Sequence, residues 1–178
     1  MKLLRTIRLD PSDTFIFPNA AEPGEWAVSG AFVFADTDPD TLQGRERAAF
    51  RAGFLGVASF GWSTLVQIVE TDAAGHDAAV ALLAQGLSER FGAPDHAAAR
   101  AAAQEEIAFA ASLCNHPAGT LIAMHRTEED GAIREAFRTL RPAAGPTPGR
   151  VFEFVEVEGE DEPGEAVDLA ALARGETA

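Results

Sequence analysis

The chain has 178 residues, enough for a domain with a hydrophobic core, and a formal net charge of −14 at pH 7. A surface this acidic repels phosphate backbones, which argues against nucleic acid as a partner. Arg5 and Arg8 interrupt the segment where a signal peptide would need its apolar core, and no apolar run approaches the length of a transmembrane helix. The single cysteine excludes an internal disulfide. We therefore expect a cytoplasmic protein without a membrane partner.

Three strands are predicted at the start of the chain. Residues 3–9, 14–17 and 26–34 read as strands, and in the third the even positions share one face by the period of two. The short loops between them predict an antiparallel meander. Asp38 is then the expected N-cap of a helix that ends near Gly56.

The middle of the chain predicts two strands and two helices. Residues 121–124 are a continuous apolar run, as in a strand covered on both faces, and residues 65–69 are predicted to be a second strand of this kind. Between them, Asp72 and Asp95 are the expected N-caps of two helices. In the second helix, small apolar residues recur at three- and four-residue steps and share one face suited to packing on a sheet: Ala99, Ala103, Ala110, Leu113 and Cys114.

A fourth helix and a last strand are predicted after residue 124. Residues 127–130 resemble a capping box, and Ile133 and Phe137 follow on one helical face. After a loop rich in proline and glycine, residues 151–157 read as the last strand.

This order of elements predicts a single α+β domain over residues 1–158. Strands gathered early and helices mostly later favour a mostly antiparallel sheet of about six strands with four main helices packed on it. An α/β sandwich with helices on both faces is the alternative. Residues 159–178 are acidic and glycine-bearing, which is typical of a mobile tail.

Glu106 is the first candidate for a functional residue. Helical spacing puts it within the apolar face, whereas Glu105 points about 100° away, so the two carboxylates cannot share a proton. A carboxylate that faces a core needs a partner or stays protonated. Candidate partners for Glu106 include Arg126 and the indole of Trp62.

Two histidines near Glu106 complete the weak catalytic candidates. His116 follows the predicted helix, and His125 lies in the predicted strand, where a hydrogen-bonded core histidine is the simpler interpretation. Cys114 lies at a helix C-terminus, which disfavours a thiolate, so we expect it to be buried and unreactive. These residue types can bind metals, but no dense spacing such as C-x-x-C or H-E-x-x-H occurs, so we expect no metal site and no cofactor.

The segment from Phe54 to Trp62 is the candidate for ligand binding. Phe60 and Trp62 flank Gly61, and a glycine between aromatic residues can let a ligand approach the backbone. The alternative is that the glycine only lets a loop turn tightly over the core.

Four stretches carry a resemblance to a known group of proteins. MKLLRTIRLDPSDTF, EWAVSGAF, GFLGVASFGWSTLV and EEIAFAASLC resemble small uncharacterised alphaproteobacterial proteins grouped as a domain of unknown function. The resemblance reaches to about Leu140. It implies a bacterial source and assigns no role to any residue.

Function is therefore left between three classes of protein. No P-loop, G-x-G-x-x-G or G-x-S-x-G motif occurs, which favours a non-catalytic accessory or protein-interaction domain with a protein partner as yet unknown. The alternatives are a small-ligand-binding protein and an enzyme, with a pocket near Glu106 and the Phe54 to Trp62 segment. We also predict a homodimer, because the edges of an antiparallel sheet are often covered by pairing.

Overall fold

The computed structural model describes residues 1–140 of the chain. The strands in this part are β1 Lys2–Ile7, β2 Trp26–Val28, β3 Phe54–Gly56, β4 Trp62–Ser63, β5 Leu65–Glu70, β6 Leu121–Glu129 and β7 Ala132–Leu140. The helices are α1 Ser12–Ile16, α2 Gly44–Ala52, α3 Ala73–Phe91 and α4 His96–Ser112, with 3-10 turns at Ala31–Phe34 and Pro39–Thr41. The predicted strand 151–157 and the predicted tail 159–178 lie outside the described residues.

The seven strands form one antiparallel sheet in the order β4-β3-β2-β1-β5-β6-β7, curled into a half-barrel. The predicted α+β class is confirmed, with slightly more strands than the six expected. The first strand lies at the centre: Leu4 is paired with Ala27 on one side and with Ile68 on the other. The antiparallel meander expected for residues 3–34 is confirmed only between β1 and β2.

Helix α4 packs on β1 and β2, and α3 packs on α4. The face of α4 that is buried carries Ala99, Ala103, Ile107 and Ala110, so the predicted register of this helix is confirmed. Small side chains allow the helix axis to lie close to the sheet. Both predicted N-caps are confirmed as well: the Asp72 carboxylate accepts from the amide of Gly75 at 2.8 Å, and Asp95 accepts from Ala98 at 2.8 Å.

Two of the early strand predictions are wrong in whole or in part. Residues 14–17 lie in and after helix α1, because the Asp13 carboxylate is buried and accepts the Thr64 hydroxyl at 2.5 Å, a long-range contact that local propensity does not contain. The predicted strand 26–34 stops at Val28. Gly30 has a left-handed φ of 79°, which turns the chain into a 3-10 helix.

The helix predicted from Asp38 to Gly56 divides into three elements. Asp38 caps only the 3-10 turn Pro39–Thr41, since its carboxylate accepts from Asp40 at 3.0 Å. Helix α2 begins later, and Phe54 already belongs to β3.

The helix predicted after residue 127 is wrong. Residues 121–140 form a β-hairpin, in which Glu129 is paired with Ala132 across the two-residue turn Asp130-Gly131. Both turn residues have positive φ, 53° and 78°, as a type I′ hairpin requires. The Asp-Gly pair is a recognised hairpin signal that outweighs the capping-box pattern. Strand β6 is also buried on one face only, so the doubly covered strand predicted at residues 121–124 is wrong.

Candidate functional site

Arg126 is fully buried, and its guanidinium is the centre of a polar cluster. The alternation of β6 places Ile122, Met124 and Arg126 on the inward face, so the arginine occupies a position otherwise taken by core residues. Its Nε donates to Glu135 Oε1 at 3.0 Å. The Ser29 hydroxyl donates to the same carboxylate oxygen at 2.6 Å.

The other guanidinium nitrogens bind backbone carbonyls. Nη1 donates to the carbonyl of Phe50 at 2.5 Å, and Nη2 donates to that of Ser29 at 2.8 Å. Phe50 lies in the last turn of α2, where carbonyls lack intrahelical partners and the helix dipole favours a cation. Burial lowers the pKa of Arg126, and the Glu135 carboxylate opposes that shift. Arg126 therefore remains charged and joins α2, the segment after β2, and β7 to β6.

Glu106 is half-buried on α4, and the charges of Glu135 and Arg126 act on it. Its pKa is raised from 4.5 to about 7: burial is the largest cause, the Glu135 charge also raises it, and Arg126 lowers it. Since the direct ion-pair partner of Arg126 is Glu135, Glu106 is a second carboxylate beside one guanidinium. A carboxylate with such a pKa can exchange protons at neutral pH.

The surface beside Glu106 is apolar and only partly covered. We call it the α4–β7 surface and define it by Phe109 of α4 and by Ile133 and Phe137 of β7. The Phe109 side chain is 40 % exposed, and its ring centroid is 5.9 Å from that of Phe137. Across the half-barrel, Phe137 also lies 6.2 Å from the buried ring of Phe54. Half-exposed aromatic side chains of this kind are enriched at protein interfaces.

Strand β7 forms one edge of the sheet within residues 1–140. Each of its nine residues is at least partly exposed. Its outward row carries Arg134 and Arg138, and the Arg134 guanidinium pairs with Glu129 at 2.7 Å. The edge therefore offers backbone hydrogen-bonding groups, with the two arginines on one side and with Ile133 and Phe137, on either side of Glu135, on the other.

The two candidate histidines are not part of this cluster. His125 is exposed, because the alternation of β6 places it on the face opposite Arg126, and the core histidine expected there is wrong. His116 is half-buried beyond the end of α4, and its carbonyl accepts from Lys2 Nζ at 2.7 Å. Among the described residues, no group of three metal-ligating side chains converges.

Cys114 is buried, as expected, although it lies two residues beyond the end of α4. Its pKa is raised from 9.0 to about 11, because burial raises it by more than the nearby Lys2 lowers it. At neutral pH the side chain is a thiol, which is neither a nucleophile nor a metal ligand.

The candidate ligand-binding residues Phe60, Gly61 and Trp62 lie against protein atoms. Trp62 is 7 % exposed and stacks on Phe34 with ring centroids 5.2 Å apart. A Cβ at Gly61 would lie 2.6 Å from the backbone of Ala20, so the glycine permits close approach of two chain segments. Phe60 has a left-handed φ of 56°, and its ring packs on α3, with Arg90 at 4.7 Å.

The sequence points to Glu106 and to Arg126 as a candidate partner, but it does not predict that Ser29 and Glu135 join Arg126. Ser29 and Glu135 are more than 100 positions apart, and no local pattern links them. One local pattern indicates that Arg126 faces inward: it continues the alternation of Ile122 and Met124 along the strand. Glu135 could have been placed only by recognising the Asp-Gly hairpin.

The chain matches a family model over residues 1–147, and it belongs to that family, described as a family of unknown function, DUF6505. Neither the curated proteins nor the solved structures contain a match. Within residues 1–140, no helix has the length and apolar character needed to cross a membrane.

Proposed function

We propose that this member of the DUF6505 family is a non-catalytic interaction domain that binds a partner protein by strand addition to β7. The observation that carries the proposal is the nine-residue edge of β7, along which every residue is at least partly exposed. A strand edge of this length is a template for pairing with another chain. The adjacent Phe109 adds an exposed aromatic anchor.

The side chains of β7 define the chemistry of the partner. Its two rows face opposite sides of the sheet, so the added strand meets Arg134 and Arg138 on one side and Ile133 and Phe137 on the other. Opposite charges and apolar pairs across neighbouring strands are each stabilising. We therefore expect the partner strand to alternate acidic with apolar or aromatic residues.

The polar cluster supports a non-catalytic role. Ser29 is 1 % exposed, so a substrate has no direct path to its hydroxyl. The Glu135 carboxylate accepts from both Ser29 and Arg126, which commits the cluster to holding the fold. A cytoplasmic location belongs to the same proposal, because a reducing compartment suits the free thiol of Cys114.

The predicted homodimer could use the same edge, but the charges oppose it. Antiparallel pairing of two β7 strands about Ala136 would place Arg134 of one copy opposite Arg138 of the other, twice. Like charges directly opposite each other destabilise a strand pair. We therefore propose a different protein as the partner, and a second copy is one outcome of the test.

The test is photo-crosslinking from the edge itself. The full chain, with a photo-reactive amino acid in place of Ala136, is expressed in its native host and irradiated. We expect an adduct with one distinct protein, attached within a strand that alternates acidic and apolar residues. Phe109→Ala should reduce the adduct several-fold. Leu82→Ala is the matched control, since Leu82 is 42 % exposed and lies on α3.

Each other outcome contradicts the proposal. Adducts only with residues 141–178 of the same chain would mean that its own C-terminal segment covers the edge. Adducts only with a second copy would favour the homodimer. Equal loss in Phe109→Ala and Leu82→Ala, or no adduct at all, would remove the α4–β7 surface as the docking site.

A further inference from the structure

A small cleft lies between the end of β1 and the start of β5. Its volume is about 100 Å³, which is room for about three water molecules. Polar residues form one part of its wall and apolar residues another: Asp10, Ser12, Asp13 and Thr64, with Leu9 and Leu65. The cleft therefore presents both carboxylates and hydrocarbon to a small ligand.

The Asp13 carboxylate lies in this cleft without a cation. Asp13 is 5 % exposed, and none of the ion pairs within residues 1–140 includes it. The Thr64 hydroxyl donates to Oδ1 at 2.5 Å, whereas Oδ2 accepts only from the Thr64 amide, at 3.3 Å. A carboxylate has about four lone-pair positions, so Oδ2 has room for a further donor. Since a buried carboxylate is costly without a counter-charge, the donor that suits it best is a cation.

Asp10 adds a second negative charge at the mouth of the cleft. It is exposed, and its Oδ1 accepts from the amide of Ser12 at 2.7 Å. Hydrogen bonds from Ser12 lower the pKa of Asp10, so its carboxylate is ionised at neutral pH. No lysine, arginine or histidine lines the cleft. A cation that enters it therefore meets two carboxylates and no competing positive charge.

We propose that this cleft binds the ammonium group of a primary amine, with the alkyl chain of the amine against Leu9 and Leu65. An ammonium has three N–H donors, which suit Asp13 Oδ2 and the lone pairs of the Thr64 hydroxyl. A metal ion fits less well, because no three metal-ligating side chains converge within residues 1–140 and part of the wall is apolar. Strand β6 lies between β5 and β7, so the site does not depend on strand addition at β7.

The test is a titration of the full chain with n-butylammonium chloride at neutral pH and constant ionic strength, followed by NMR of the Thr64 amide. We expect a saturable shift in the millimolar range, and none with n-butanol, which has the same carbon chain without the charge. Asp13→Asn should weaken binding by about tenfold or more, as the loss of a charged hydrogen bond does. Asp40→Asn is the matched control, since it removes an exposed carboxylate outside the cleft, and it should bind like the wild type.

A second probe distinguishes the two sources of such an ammonium. Nα-acetyl-lysine methylamide carries a lysine side chain on a peptide backbone. Tighter binding of this probe than of n-butylammonium would assign the site to a lysine of another protein, and the reverse order would assign it to a free amine. Either order supports an ammonium site.

Leu9→Lys keeps the test decisive if Asp13→Asn does not fold. Leu9 is 67 % exposed at the cleft, so a lysine there supplies a tethered ammonium. The control is Phe15→Lys, which adds the same charge at a residue of α1 that is 69 % exposed and does not line the cleft. We expect the Tm of Leu9→Lys to exceed that of Phe15→Lys by about 2–4 °C, and n-butylammonium to bind only the latter.

Three results would overturn the proposal. The first is the absence of a saturable shift with n-butylammonium, or equal affinity in Asp13→Asn and the wild type. The second is a stronger response to magnesium chloride at the same ionic strength, which would make the cleft a metal site. The third is a Leu9→Lys variant that is no more stable than Phe15→Lys and still binds the probe.

Discussion

Replacing Arg126 with methionine should lower the free energy of unfolding by about 3–5 kcal/mol. The change removes the cation from the interior but leaves the Glu135 carboxylate and the carbonyls of Ser29 and Phe50 in place. An interior polar group that loses its partner costs about 1–3 kcal/mol. The Glu135 side chain is 14 % exposed, so its carboxylate can partly regain water. Methionine also regains part of the lost packing. The expected loss in unfolding free energy is therefore smaller than the sum for three interior groups that each lose a partner.

The measurement is urea unfolding at neutral pH, followed by the fluorescence of Trp26 and Trp62. Arg138→Met is the matched control, because this arginine is exposed on β7 and its loss should change stability by less than about 0.5 kcal/mol. Many domains have only about 5–15 kcal/mol of stability, so Arg126→Lys serves as the milder variant if the methionine variant does not fold. It keeps the charge but cannot reach all the acceptors, and we expect a loss of about 2 kcal/mol.

A loss below about 1 kcal/mol for Arg126→Met would refute this account. It would mean that the carbonyls at the end of α2 find other partners, and that the arginine does not hold the half-barrel together. A double-mutant cycle with Glu135→Gln separates the ion pair from the carbonyl contacts. We expect the losses of unfolding free energy in the two single variants to add up to more than the loss in the double variant. The reason is that Arg126→Met already leaves the Glu135 carboxylate without its partner, and Glu135→Gln then removes that charge.

Three further predictions concern other buried groups. Because the folded-state pKa of Glu106 is raised from 4.5 to about 7, the folded state holds its proton to higher pH than the unfolded chain, so its contribution to stability is complete below 4.5 and is lost as the pH rises through 7. The full shift in pKa corresponds to about 3 kcal/mol of unfolding free energy, and solvent screening at a half-buried group reduces it to about 2. Glu106→Gln should therefore flatten the stability–pH curve between pH 4.5 and about 7, and Glu105→Gln should not. Cys114 should resist a thiol reagent in the native protein at neutral pH, and stoichiometric labelling within the mixing time would contradict its burial. Gly86→Ala should destabilise the protein by about 1–3 kcal/mol although alanine favours helix, because a Cβ there overlaps the Phe60 ring. In a Phe60→Ala background the same change should stabilise the protein, and a loss of stability in both backgrounds would contradict this explanation.

The parts of the fold that could be predicted are those with local causes. Helices α3 and α4 have Asp72 and Asp95 as N-caps, and each carboxylate accepts from the amide three residues along the chain. The residues that predict the start of each helix are therefore the same residues that form the cap. The buried face of α4 follows from helical spacing alone. Strand β5 is predictable for a similar reason, since it is a short, mainly apolar segment between loops.

The parts that were missed depend on contacts between distant residues. Helix α1 is held by the bond between Asp13 and Thr64, which are 51 positions apart. The hairpin of β6 and β7 is predicted as a helix because Ile133 and Phe137 fit a helical period as well as a strand period, and only the Asp130-Gly131 turn distinguishes the two. That error also hid Glu135, so the sequence led to Glu106 without the ion pair beside it.

The position of Arg126 links the curl of the sheet to the exposure of its edge. Ser29 follows β2, and Arg126 lies on β6, with β1 and β5 between them. In a flat sheet, three strand spacings would separate their backbones by about 14 Å, which is more than an arginine side chain can span. Yet Nη2 donates to the Ser29 carbonyl at 2.8 Å, so the sheet must curl for this bond to form. A sheet that curls this far without closing leaves β7 at its rim, with one row of side chains turned towards the interior and only half covered. The same buried charge that holds the half-barrel together therefore also positions the edge at which we expect the partner strand to bind.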